Sequence, residues 1–220
     1  MPAAIFNVDH TLLDAHMGRV FDAYALERGI PKAFGAAKLR AALAAAKALG
    51  ARADRTLAAL GVTAYRGVET NLLRREARAC FAERLRPRVW AEAAEAIGKH
   101  KARGDEVVLA SSSPEFVVTD LAVHLDADTV VALRHGMFGT QIIGYYDPLP
   151  YGEGKLKAVS DALGKLGMAL GDATVYASGA EDLPLLEAAK ERIAVNPSAE
   201  LEGVAKAKGW SIQRWSTPQG

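Results

Sequence analysis

Four polar clusters stand out in this chain: Asn7-Val8-Asp9-His10-Thr11, Ser111-Ser112-Ser113 and Ser178-Gly179-Ala180-Glu181-Asp182, each after a short apolar run, and Lys155, just ahead of an expected helix. Their side chains suit chemistry on an anionic group. Carboxylates can move protons or ligate a metal, small hydroxyls can hold an oxyanion, and an ammonium offsets its charge. Asp9 two residues before Thr11 carries little weight alone, because a turn-forming aspartate has the same spacing. Four clusters in this order, each where a strand should end, carry much more.

The elements around them predict that placement. Ala3-Ala4-Ile5-Phe6 is a short apolar run that stops at Asn7, as a buried strand entering a polar turn would. Glu106–Ala110, Thr129–Leu133, Ala173–Ala177 and Arg192–Val195 read the same way, with helices expected over 89–103, 155–166, 183–191 and 198–208 and a short hairpin arm over 138–143. Strands alternating with helices imply a parallel sheet covered on both faces. In such sheets ligands sit at the carboxyl ends of the strands, which is where the clusters fall. Residues 17–102 differ, being rich in Ala, Leu, Arg, Lys and Glu at helical spacing. Gly29-Ile30-Pro31, Gly50, Gly61 and Arg86-Pro87 punctuate them into four or five helices. The Ala-rich stretch 36–48 suits a helix in close contact with another, and no long internal repeat is present. The expected architecture is an α/β, Rossmann-like core of residues 1–15 and 88–220 with an inserted all-helical cap over 16–87.

Composition narrows the functional classes. The chain has 220 residues, half of them hydrophobic, enough to bury a core. Lys and Arg total 27 against 26 Asp and Glu, a net charge of +1, which argues against a nucleic-acid or polybasic membrane partner. The single cysteine, Cys80, excludes an intrachain disulfide and a thiolate-rich zinc site, and it falls in an expected helix as an inert buried thiol. No apolar run approaches the roughly 18 residues that span a membrane. The amino-terminal residues lack the pattern of a secretory leader. A cytoplasmic location is the expectation, and the sequence sets no oligomeric state.

Together these features resemble the haloacid dehalogenase (HAD) superfamily, and within it the subfamily IB phosphatases that are similar to phosphoserine phosphatase. The resemblance runs from Phe6–Leu13 through His100-Lys101, Val107–Glu115, Gly152-Glu153-Gly154-Lys155 and Asp182–Leu186 to Val195-Asn196-Pro197-Ser198 and Ala205–Trp210. It implies the HAD fold with a helical cap, a small phosphorylated molecule or phosphate as ligand, and Mg²⁺ as cofactor. The family's first motif is Asp-x-Asp-x-Thr, whose first Asp attacks phosphorus while binding Mg²⁺ and whose second serves as acid and base. Here Asn7 stands in the nucleophile position and Asp9 in the acid/base position, followed by Thr11. Ser111 matches the hydroxyl that binds the phosphoryl group, and Lys155 matches the basic residue that offsets its charge. In the last motif, Asp-Ser-x-x-Asp-Leu-Pro, Ser178 replaces the Mg²⁺-binding acid, and Asp182 matches the acid that supports the metal's coordination.

Two of the carboxylates that would hold the metal are therefore missing. Mg²⁺ demands near-octahedral oxygen ligands and dehydrates reluctantly. Its binding should be weak or absent, and turnover with it, because phosphoryl transfer depends on positioning and charge neutralisation. Three functional classes follow: a phosphatase reduced or silent in this chain, a non-catalytic module that binds a phosphorylated ligand or docks a partner, and a purely structural subunit. An active enzyme silenced by an Asp-to-Asn change at position 7 is a further alternative; Ser178 speaks for a degenerate pair instead. Ser113, ahead of Pro114, reads as a helix cap, Glu181 as a solvated surface acid, and His16, Arg19 and Arg66 as cap residues able to face the ligand.

Overall fold

The computed structural model describes residues 2–49, 63–145 and 150–218. The expected breaks at Gly50 and Gly61 lie outside the described residues. Five residues of alternating facing, Ala3–Asn7, form the central strand β1, all of them buried. On one side it pairs with β2 (Glu106–Pro114) and on the other with β6 (Thr174–Ala177), both in parallel. The six-stranded sheet is completed by β3 (Thr129–Leu133), β7 (Glu191–Val195) and β8 (Ser211–Gln213), in the order β3-β2-β1-β6-β7-β8 and parallel throughout. The strand β8 had no counterpart in the sequence reading.

Period-two alternation divides the apolar residues between the two faces. Phe6, Val107, Leu109, Tyr176 and Val195 share one core. Ile5, Val108, Ala110, Val175 and Ala194 share the other, with Val159 and Leu163 of α6 (Glu153–Lys165), Leu185 of α7 (Leu183–Ala188) and Leu201 of α8 (Ala199–Lys208). Both faces are covered, so the strands read as continuous apolar runs. From β1 the chain builds outward through β2 to β3, then crosses back to the other side of β1 and builds outward again through β6, β7 and β8. That reversal opens a crevice at the carboxyl ends of these strands.

Between β1 and β2 lie α1 (Met17–Glu27), α2 (Ala33–Leu49), α3 (Thr70–Cys80) and α4 (Ala91–Ala102). α3 runs into a π-helical turn, Phe81–Leu85, and a 3-10 turn, Arg86–Arg88. Pro87 lacks an N–H and cannot continue the α ladder, so the helix is unwound at its end. The two passages of chain beside the insertion run side by side: Asp14 N–H donates to Arg88 O at 3.0 Å, and Trp90 N–H to Leu12 O at 3.0 Å. The Ala-rich helix makes a close approach at its first turn. A Cβ on Gly35 would lie 2.0 Å from the carbonyl oxygen of Ala64, so only glycine fits there.

α5 (Glu115–His124) follows β2. The hairpin β4 (His135–Phe138) and β5 (Gln141–Tyr145) then leaves the main sheet. It adds to the helical insertion instead: Gly67 N–H donates to Ile142 O at 2.7 Å, Ile142 N–H to Val68 O at 3.2 Å, and Thr70 N–H to Thr140 O at 2.9 Å. Cys80 is buried, and burial pushes its thiol up to about 12, in keeping with an inert side chain. Among the described residues no helix is long and apolar enough to cross a membrane.

Candidate functional site

The turn after β1 carries the first cluster. Val8 N–H stays on the sheet by donating to Ala110 O at 3.2 Å, and Thr11 and Leu12 N–H fold back onto Val8 O at 3.1 and 3.0 Å. This tight reversal places Asn7, Asp9 and Thr11 within one buried pocket. Ser111 arrives from β2, Ser178 from the end of β6, Lys155 from the first turn of α6, and Asp182 from the start of α7. All seven side chains predicted from sequence are buried there, a costly placement unless each is partnered.

The Asp9 carboxylate accepts from Met17 N–H at 2.6 Å, from Ser111 Oγ at 2.9 Å and from Ser113 Oγ at 3.1 Å, with His16 Nδ1 at 3.6 Å. Burial alone would raise its pKa. His16, the Met17 N–H, the Ser111 hydroxyl and Lys155 outweigh that and hold it below the ordinary carboxylate range. Asp9 is therefore ionised at neutral pH in this arrangement. Burial, the largest influence, lowers the pKa of His16.

Lys155 stands between two oxygens. Its Nζ donates to Asn7 Oδ1 at 3.0 Å and to Asp182 Oδ1 at 2.6 Å. Both partners of the ion pair are essentially enclosed, with side-chain exposures of 3% and 0%. A chain of neutral donors occupies the other side of Asn7. Its Nδ2 donates to Asp9 O and to Thr11 Oγ1, each at 3.0 Å. Thr11 Oγ1 donates to Ser178 Oγ at 3.0 Å, and Ser178 Oγ donates to Asp9 O at 3.3 Å. The amide of Asn7 is oriented by this pattern, since only Oδ1 can accept from the lysine.

Set against the needs of Mg²⁺, the donor set is poor. Position 7 turns an amide N–H₂ toward the Asp9 carbonyl, and position 178 turns a hydroxyl hydrogen toward the same atom. Asp182 Oδ2 is a buried acceptor with no hydrogen-bond partner among the described residues. Among the described residues, no three or more His, Cys, Asp or Glu are grouped to hold a metal ion.

Two sequence expectations need correction. Ser113 does not cap α5: Pro114 occupies the cap position, with no side-chain cap bond. Ser113 instead points into the pocket, accepting from Gly18 N–H at 3.0 Å and donating to Asp9. The signal was present, because residues two apart on a strand share a face and Ser111 was already assigned to the site. Glu181 is not a solvated acid. Its side chain folds back over Gly179, where a Cβ would lie 2.1 Å from Oε2. Burial, then Asp182, raises its pKa, and Lys155 and Asp9 also feel its charge. Of the cap candidates, His16 lies beside Asp9 and Arg19 lies near His16, whereas the Arg66 side chain is exposed.

Comparison with known proteins agrees with this geometry. A sequence model of haloacid dehalogenase-like hydrolases matches residues 4–187. A probable phosphatase of Mycobacterium tuberculosis is 35% identical over 132 residues, 60% of this chain and 46% of that protein. A histidinol-phosphatase of Neisseria meningitidis is 33% identical over 121 residues, 53% of this chain and 54% of the other. The chain thus spans about half the length of the curated relatives it matches. Among solved structures, a Bordetella pertussis protein of unknown function superposes with a TM-score of 0.82 at 24% identity, covering 96% of this chain and 97% of that one. A substrate-bound phosphoserine phosphatase superposes with a TM-score of 0.61 at 20% identity, covering 96% and 92%. These two likenesses speak for the fold. The family itself follows from the match that begins in β1, ends in α7 and takes in all four clusters: this chain belongs to the haloacid dehalogenase-like hydrolases.

Proposed function

We propose that this chain is a phosphatase scaffold that binds a small phosphorylated metabolite and hydrolyses it weakly or not at all. In this reading residues 16–87 form the cap, and Lys155, Ser111 and Thr11 hold the phosphoryl group. Asp9 occupies the acid/base position, and Asp182 is the surviving carboxylate of the metal-binding motif. Magnesium has no adequate seat.

The observation that carries the reading is the state of Asn7. Its amide is neutral and a poor nucleophile, and its one lone-pair oxygen is covered by the Lys155 ammonium at 3.0 Å. A second observation supports it. Asp9 is held ionised by four surrounding groups, so it is poorly prepared to donate a proton to a leaving oxygen. The curated relatives named as phosphatases support a phosphorylated small molecule as the ligand class.

The test is a panel of phosphorylated small molecules, scored for phosphate release and for thermal stabilisation, with Mg²⁺ or with chelator. Trace turnover at most, together with stabilisation by one phosphomonoester that is lost in Lys155→Ala, is the expected result. Turnover at the ordinary enzymatic scale of about 10 s⁻¹ would refute the impairment. Stabilisation by no member of the panel would refute the ligand class and favour a structural role.

A further inference from the structure

Asn7 and Ser178 are 171 positions apart in sequence, yet they address the same atom. Asn7 Nδ2 reaches the carbonyl oxygen of Asp9 at 3.0 Å, and Ser178 Oγ reaches it at 3.3 Å. Thr11 Oγ1 joins them, accepting from Asn7 at 3.0 Å and donating to Ser178 at 3.0 Å. Each hydrogen in this ring has an acceptor, and the direction of every bond is set by the two ends: an amide N–H₂ that can only donate and a carbonyl that can only accept. Thr11 and Asn7 are buried, at 0% and 3% exposure, so water cannot readily substitute for a missing member.

We infer that Asn7 and Ser178 form one interdependent unit, closed through Thr11, whose hydrogens take the place of a divalent cation at the Asp9 carbonyl, so that this oxygen is satisfied without a metal. This rests on the reading above that positions 7 and 178 are those at which the family holds its nucleophile and its cation. It goes further in making the two substitutions inseparable. Asn7→Asp alone would set an oxygen 3.0 Å from the Asp9 carbonyl oxygen with no hydrogen between them. It would also gather three carboxylates, at 7, 9 and 182, around one ammonium. Ser178 would still present a hydroxyl, not an anion. Only with Ser178→Asp as well are both hydrogens removed and two anionic ligands supplied together.

The test compares the natural chain with N7D, S178D and the N7D/S178D double variant by thermal melting, in chelator and in about 10 mM MgCl₂. The natural chain should melt at the same temperature in both. N7D should melt at least about 5 °C lower in chelator, with little recovery in MgCl₂. The double variant should gain about 5 °C or more from MgCl₂. Stabilisation of the natural chain by MgCl₂, or full rescue of N7D alone, would overturn the inference.

Two further measurements apply even if S178D does not fold. Binding of Mn²⁺, followed by electron paramagnetic resonance, should be absent from the natural chain; tight binding there would overturn the proposal. Thr11→Val, nearly isosteric, removes only the hydroxyl that joins the ring. It should lower the melting temperature by about 3 °C or more, and no change would show that the ring carries nothing. None of these readings involves a phosphorylated ligand. A failure of the ligand panel therefore counts against the ligand class alone, an unchanged melt of Thr11→Val counts against the ring alone, and metal binding by the unaltered chain counts against both the ring and the missing magnesium seat.

Discussion

The pocket around Asn7 and the cluster around His100 are both buried polar networks hung on β1, and they are assembled in opposite ways. Phe6 stacks on Tyr176 with ring centroids 4.3 Å apart and meets His100 edge-on at 5.8 Å. There His100 Nδ1 lies 2.7 Å from Asp105 Oδ2, and Nε2 lies 2.9 Å from Tyr176 Oη. Burial pushes the Tyr176 phenol up to about 12, so it stays protonated. Arg103 backs the carboxylate at 3.1 Å. His100, Arg103 and Asp105 lie within six consecutive residues at the end of α4, so most of this network is in place once that helix ends. In the Asn7 pocket, the bonds from Asn7, Asp9 and Thr11 to Ser111, Lys155 and Ser178 span 102 to 169 positions. The pocket also leaves Asp182 Oδ2 without a partner among the described residues, whereas both ring nitrogens of His100 are satisfied. The local network is finished as a structural joint. The long-range one retains an unused acceptor, as a site that meets ligands would.

Variants that break one network at a time should sharpen the contrast. The largest effect is expected in the long-range pocket. Lys155→Met strands the Asp182 carboxylate in a dry environment and should cost about 3–5 kcal/mol in urea unfolding. Adding Asp182→Leu should recover most of that loss, because the pair is then replaced by apolar groups of similar size. A double variant as unstable as the single one would show that packing, not charge, is what Lys155 contributes.

In the local network, Asp105→Ala removes the carboxylate that faces His100 Nδ1 and Arg103, and the loss should be smaller, about 1–3 kcal/mol. Tyr176→Phe keeps the stack on Phe6 and removes only the hydroxyl. About 1 kcal/mol is expected, with an unchanged dependence of unfolding on urea. A loss above that of Lys155→Met would reverse the ranking of the two networks.

A separate, pH-dependent effect concerns the helical insertion. Asp22 on α1 accepts from Tyr65 Oη at 2.7 Å, and burial raises its pKa to about 7, with that hydrogen bond opposing the shift. A carboxyl whose pKa is higher in the folded than in the unfolded chain binds its proton more tightly when folded. Its contribution is present at low pH and is lost as pH rises from about 4 toward 7. Asp22→Asn should remove that decline. Stability measured for both proteins across this window should therefore differ least at pH 4 and most above pH 7, in favour of the variant. A constant difference would exclude Asp22 as the titrating group.

The strands were legible because each is a run of apolar residues between polar turns, and burial on both faces requires such runs. The burial of β1 followed from Ala3–Phe6 being apolar throughout, whereas its central position appeared only in the structure. The roles expected for Asn7, Asp9, Thr11, Ser111, Lys155, Ser178 and Asp182 came from the resemblance to the family's motifs, and these side chains do converge. β8 was missed because Ser211-Ile212-Gln213 is too short and polar to register as a strand, and it exists by pairing with β7. The hairpin's attachment to Val68–Thr70 was equally silent, since backbone hydrogen bonds between distant segments leave no mark on side-chain pattern.

The sequence alone determined the chemical identity of the site: which positions lack a carboxylate, and that the chain has the elements of a parallel sheet to present them. The first is read through the resemblance to the family's motifs, the second from residue type and local period. Tertiary structure decided what the substitutions do. That Asn7 and Ser178 aim hydrogens at one carbonyl, that Ser113 serves Asp9 and not a helix, and that Glu181 folds over Gly179 depend on directions in space. Hydrogen bonds are directional and short, so they are settled only when strands far apart in sequence have brought their ends together.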